Sequence, residues 1–137
     1  MTVPFERTIC DCAQDQDRCR SGPGHLIPSD LPRLATYLKE RNVDVSKTLQ
    51  QGRGALVMNT KTMQTYRIPT ITPSMRDDGS CVFFEAGRCT VHPVAPFGCA
   101  YFDVHMDATE GHVRSMWGLH AIVNDPSYQA VRSRLPG

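Results

Sequence analysis

The stretch CVFFEAGRCTVHPVAPFGC, residues 81–99, sets three cysteines among phenylalanines, a Gly-Arg turn and two prolines. Read locally, CVFFEAGRCTVH predicts a small β-hairpin that turns over Glu85 to Arg88 and brings Cys81 close to Cys89. Cysteines that merely pack lie more often inside periodic apolar runs. These sit where the backbone can curl around an ion and aim amide N–H groups at sulfur. The stretch therefore predicts a loop region stapled by a metal rather than a regular layer of sheet.

The other three cysteines lie in CDCAQDQDRCRSGPG, residues 10–24, a polar and aperiodic segment that reads as an irregular loop. The two groups are Cys10-x-Cys12-x6-Cys19 and Cys81-x7-Cys89-x9-Cys99. Zinc takes four tetrahedral ligands, and an iron–sulfur cluster is usually held by four cysteines, so six exceed one simple centre. The remainder would be buried structural thiols, substitute ligands or half of a second site. No C-x2-C knuckle is present, and the spacing fits neither common ferredoxin pattern. Spacing alone leaves iron–sulfur and zinc both open, with reduced packing cysteines and a disulfide framework as the plainer alternatives.

The chain of 137 residues is 40% hydrophobic and 21% charged, which fits one globular domain over residues 1–137. A formal charge of +1 provides no field to gather nucleic acid or anionic lipid. The opening MTVPFERTIC lacks a basic leader and an apolar run, and no window reaches the length of a membrane span. The expected location is the cytoplasm, where reducing thiol buffers disfavour disulfides and favour metal ligation.

Around the cysteines, Leu31, Leu34, Ala35 and Leu38 make one apolar stripe of a helix over residues 30–41, with Ser29 as its cap and Asp30 in its first turn. A second short helix is expected from Val45 to Gln51, with Asp44 as cap and Gly52 as stop. ALVMNTKTMQTYRIPTI, residues 55–71, reads as a hairpin around Asn59 to Thr62 whose second strand Pro69 ends or confines to an edge. Asp78-Gly79 marks a turn. Met116, Leu119, His120 and Val123 keep helical spacing over residues 112–123, Asp125-Pro126 interrupts that helix, and SYQAVRSRL adds a final turn or two.

His92, three residues after Cys89, is the most plausible histidine ligand, and His25 and His105 flank the cysteine loops. His120, on the apolar stripe, reads as a core histidine with its hydrogen bonds satisfied. Cys99 with Asp103 and His105 contains the residue types of a thiol nucleophile, an orienting acid and a base, but no thiol-hydrolase signature surrounds them. Trp117 and Met116 read as core. No phosphate loop, H-E-x-x-H or EF-hand pattern is present.

Together, GHLIPSDLPRL and CVFFEAGRCTVHPVAPFGCAYF resemble the YkgJ-like cysteine-cluster family, zinc- or iron-chelating proteins with a C-x-x-C-x-x-C-C-type N-terminal cluster. Cys81, Phe84, Gly87, Cys89, Val91, His92, Pro96, Cys99 and Phe102 match the family's later segment, and the likeness covers roughly residues 8–105. The N-terminal group here is C-x-C-x6-C without the adjacent cysteine pair. Ala95 and Ala100 stand where the family commonly has arginine. The resemblance implies a metal-chelating domain, in some relatives with an iron–sulfur cluster, and implies no single reaction.

The sequence thus predicts a small single α+β domain with a few helices, a short antiparallel hairpin and a cysteine-rich, metal-stapled loop region. Its expected metal ligands are Cys10, Cys12, Cys19, Cys81, Cys89 and Cys99, around a centre for which the resemblance puts an iron–sulfur cluster slightly ahead of zinc. The expected uses are electron transfer, metal handling or structural stabilisation, with a protein partner in the last case. The alternatives are a redox or metal-dependent enzyme and a structural zinc interaction module.

Overall fold

A computed structural model describes residues 3–8, 19 and 23–137. Helix α1 (Asp30–Lys39) buries Leu34 and Leu38, with Leu31 and Ala35 half-buried beside them, as its apolar stripe requires. Ser29 precedes the helix but is itself helical and makes no side-chain capping bond. Asp30 turns back instead, and its carboxylate accepts the Ile27 N–H at 2.9 Å.

The expected helix from Val45 to Gln51 does not form. Asp44 caps only one 3-10 turn, Val45–Lys47, accepting Ser46 N–H at 3.0 Å, and the chain then extends into β1 (Leu49–Gln51). β1 pairs antiparallel with β4 (Ile71–Pro73), Gln51 opposite Ile71. That long-range ladder overrides the weak local helix signal.

Between them rises the expected hairpin, β2 (Ala55–Met58) against β3 (Thr65–Ile68), with Leu56 opposite Arg67 and Val57 opposite Tyr66. The Asn59 side chain accepts Lys61 N–H at 2.9 Å in the connecting turn. Pro69, which has no amide to donate, follows the last residue of β3.

The second hairpin is also where the sequence places it: β5 (Phe84–Glu85) pairs with β6 (Arg88–Cys89). Ala86 and Gly87 turn it with positive φ of 50° and 77°. Two consecutive left-handed residues give the turn whose twist suits adjacent antiparallel strands, and Gly87 takes its share without a Cβ.

The last helices are α2 (Phe97–Ala100), α3 (Ala108–Val123) and α4 (Pro126–Arg132). α3 starts before the expected His112 because Asp107 caps it, accepting Glu110 N–H at 2.8 Å. Its inward face is Gly118, Leu119, Ala121 and Ile122, whereas Met116, His120 and Val123 are exposed. The face is set by Phe97, whose ring covers Gly118 so closely that a Cβ there would stand 2.6 Å from Cε2. His120 is therefore no core histidine. It is a surface residue beside the Asn124 side-chain amide at 2.9 Å.

These elements meet on one apolar core that runs from Leu26 to Leu135. Tyr128, with 0% exposure, donates its hydroxyl to Leu26 O at 2.6 Å and accepts the Ile71 N–H at 2.7 Å. Leu26 N in turn donates to Ile71 O at 2.8 Å. Helices and short antiparallel strand pairs thus share one core, a mixed α+β architecture. Among the described residues no helix is long and apolar enough to cross a membrane.

Candidate metal centre

Cys81 follows a turn in which Gly79 has φ of +87° and the Asp78 carboxylate accepts Ser80 N–H at 2.9 Å. The Arg76 guanidinium then gathers the next segment, donating to Cys81 O at 2.8 Å, Val82 O at 2.9 Å and Phe84 O at 2.7 Å. Cys81 N–H donates to Cys19 O at 2.7 Å, which ties the N-terminal cysteine group to the later one. Cys89 lies opposite Phe84 at the end of β6.

Cys99 is set by contacts from α1 and the segment before it. The Asp30 carboxylate accepts Phe97 N–H at 2.8 Å, and Gly98 N–H donates to His25 O at 2.9 Å. Gly24 and Gly98 touch backbone to backbone, for a Cβ on Gly24 would lie 2.2 Å from the Gly98 carbonyl carbon. This approach lets the Gly24 N–H donate to Cys99 Sγ at 3.1 Å.

Cys19, Cys81, Cys89 and Cys99 all line one cavity of about 440 Å³. Phe83, Phe84, Phe102 and three prolines line part of its wall, and Arg7, Arg88 and His92 are its basic residues. Arg7 is held there by Pro93 O at 2.7 Å and by His92 O. Cys10 and Cys12 lie outside the described residues.

Burial pushes the Cys81 thiol up to about 11, and the neighbouring Cys89 and Cys19 sulfurs add to the rise. The Phe83 amide and the Arg76 charge pull the other way. Cys89 is raised by burial too, against the Val91 amide and the Arg7 charge. Backbone amides two residues on therefore point at both sulfurs, the donor pattern that supports sulfur under negative charge. Without a bound cation the low-dielectric wall wins and keeps these groups protonated, so a metal that bound here would displace protons.

Among the described residues no group of three or more His, Cys, Asp or Glu side chains converges tightly enough to hold one metal ion. With Zn–S bonds near 2.3 Å, sulfurs around one zinc stand about 3.8 Å apart. Four cysteines around one shared cavity, with an amide donor to sulfur, are soft donors of the kind that both zinc and iron–sulfur centres take.

The histidines divide. His92 is exposed on the cavity wall. His25 turns toward Phe97, ring centroids 6.4 Å apart, with Nε2 buried and without a hydrogen-bond partner among the described residues. His105 is exposed, and its backbone N–H donates to Asp103 Oδ1 at 2.8 Å. Asp103 also accepts from the Thr8 hydroxyl. Its carboxylate is thus engaged by Thr8 and a main-chain amide, and Cys99 Sγ accepts the Gly24 amide.

Sequence reasoning missed Arg7, Arg76, Asp30 and Gly24 as parts of this site. Asp30 was visible only as a helix-start acid. Arg7, Arg76 and Gly24 carry no local signal, because their partners lie elsewhere in space. Comparison with protein-family models, curated proteins and solved structures returns no match for this chain.

Proposed function

We propose that this chain is a metal-binding protein whose cysteine-lined cavity holds a sulfur-ligated inorganic centre, an iron–sulfur cluster ahead of a single zinc ion. The observation that carries the reading is the shared cavity: Cys19 lines it together with Cys81, Cys89 and Cys99, from segments about sixty residues apart. Cys10 and Cys12 complete the sulfur-rich set in the proposal. The resemblance to the YkgJ-like family, carried by the residue 81–102 segment, points to the same chemistry.

Cys19, Cys81, Cys89 and Cys99 would hold the centre. When bound, an iron–sulfur cluster supplies one-electron redox chemistry, and zinc supplies structural cross-linking or Lewis acidity. The chain's own part is electrostatic. Arg7 and Arg76 offset thiolate charge, the Gly24, Phe83 and Val91 amides face sulfur, and phenylalanines and prolines line part of the wall. Hydrogen bonds to sulfur and restricted solvent access are the protein's means of setting a cluster's potential. Electron transfer, metal handling and structural stabilisation are the uses this supports. His92 on the cavity wall is the one residue that favours an enzyme reading, since an exposed imidazole beside a redox centre can move a proton.

Anaerobic purification followed by elemental analysis, acid-labile sulfide assay and a visible spectrum tests the proposal. A brown protein with iron and sulfide supports the cluster. A colourless protein with about one zinc per chain moves the reading to a structural site. Full metal content after Cys→Ser replacement at all four cavity cysteines would overturn both.

A further inference from the structure

The β2–β3 hairpin is a two-stranded sheet that no third strand joins among the described residues. Its outward face carries Leu56, 63% exposed, and Met58, 50% exposed, with Arg67 and Thr65 directly across the ladder. Met63, at the turn, is 69% exposed. Leu56 and Met58, two apart on one strand, share a face, and contiguous exposed apolar surface marks interaction sites.

The hairpin and the segments that flank it carry basic charge alone. Of the chain's 15 basic and 14 acidic residues, five basic and no acidic ones fall within residues 45–76, so the rest of the chain has an excess of four carboxylates. Arg53, Lys61 and Arg67 belong to the hairpin and its flank, and none makes an ion pair among the described residues. The Arg67 guanidinium donates to the Arg53 carbonyl at 2.9 Å.

We propose that this hairpin is a docking arm for an acidic protein strand, a partner segment that lies extended along the β2–β3 ribbon with apolar side chains over Leu56 and Met58 and carboxylates against Arg53, Lys61 and Arg67. Main-chain pairing to an open sheet edge supplies affinity in this mode, and side-chain pockets and charge supply selection. The cations decide among occupants. A second copy paired edge to edge would set like charges against each other, the usual protection of an open strand against self-association. Nucleic acid would satisfy the cations but leave the aliphatic pair unburied, and Tyr66, the one ring on the strands, pairs with Val57 on the opposite face. This surface is argued without reference to the cysteine cavity, and its failure leaves the metal reading untouched.

The test uses the full chain and a fluorescent peptide of about ten residues that alternates valine and glutamate, read by anisotropy. Saturable binding is expected, weakened about fivefold by Leu56→Asp, by Arg67→Glu and by raising salt to about 0.5 M. Val123→Ser, an exposed apolar position on α3, leaves it unchanged. All three positions are exposed, and thermal unfolding confirms that each variant folds. Four results overturn the proposal: no saturation, equal binding of a valine–lysine peptide, tighter binding of a single-stranded DNA of similar length, or a dimer in sedimentation that Arg67→Glu dissociates.

Discussion

The Asp30 carboxylate accepts the Phe97 N–H at 2.8 Å across a sequence separation of 67 residues. The same oxygen takes the Ile27 N–H, so one buried side chain joins the start of α1 to the start of the helix that carries Cys99. Burial raises the Asp30 carboxyl above its usual range, while the two amides draw it back. Asp30→Ala would strand both amides in the interior. We predict a loss of about 2–4 kcal/mol in urea unfolding, with Asp30→Asn, which keeps an acceptor oxygen, losing less than half of that. Equal losses in both variants would mean that charge, not acceptance, matters.

Gly98 and Gly24 admit no side chain. A Cβ on Gly98 would stand 2.5 Å from the His25 nitrogen, a main-chain atom with no rotamer to move. Gly98→Ala is expected to destabilise by about 3 kcal/mol, at or above the usual cost of overpacking. It would also raise the reactivity of Cys99 toward a thiol reagent in the native state, because the Gly24 amide is displaced from its sulfur. A variant as stable as the parent would place the two glycines apart in solution.

What could be read in advance was local. The α1 stripe and the Ala86-Gly87 hairpin depend on neighbours within a few residues, and both formed where the sequence placed them. The β1–β4 ladder joins residues about twenty apart, and the Val45–Gln51 segment followed that partner instead of its own helix signal. α3 started early because Asp107 and Glu110 form a cap that periodicity does not register, and its inward face was chosen by Phe97 against Gly118. At the cavity the cysteines announced themselves by residue type. Their supports did not, since Arg7, Arg76 and Asp30 act on carbonyls and amides that any residue could supply.

Arg76 illustrates this with a single guanidinium. It donates to three carbonyls between Cys81 and Phe84 and stands 3.7 Å from the Glu85 carboxylate. Only a planar fork of donors can serve several acceptors at once, so lysine is a poor substitute. Arg76→Lys is predicted to cost about 1–2 kcal/mol in thermal or urea unfolding and to speed labelling of the buried Cys81. If Arg76→Lys labels at the parental rate, the turn is held by its Asp78–Gly79 geometry alone.

His25 gives the chain an acid-sensitive point apart from its carboxylates. Burial pushes the imidazole beside Phe97 from 6.5 down to about 4, and its Nε2 is buried without a partner among the described residues. The fold therefore holds His25 neutral while the unfolded chain takes up a proton as pH falls below 6.5. Stability is complete above that pH and declines progressively down to about 4, where the folded ring also titrates. Between pH 7 and 5.5, above the range in which ordinary carboxyls titrate, the loss from this one group should be about 1 kcal/mol. Urea midpoints at the two pH values measure it. His25→Phe keeps an aromatic ring against Phe97, removes the buried titrating nitrogen and should flatten the pH dependence with little loss at pH 7. A parental slope in His25→Phe would assign the acid sensitivity to another residue.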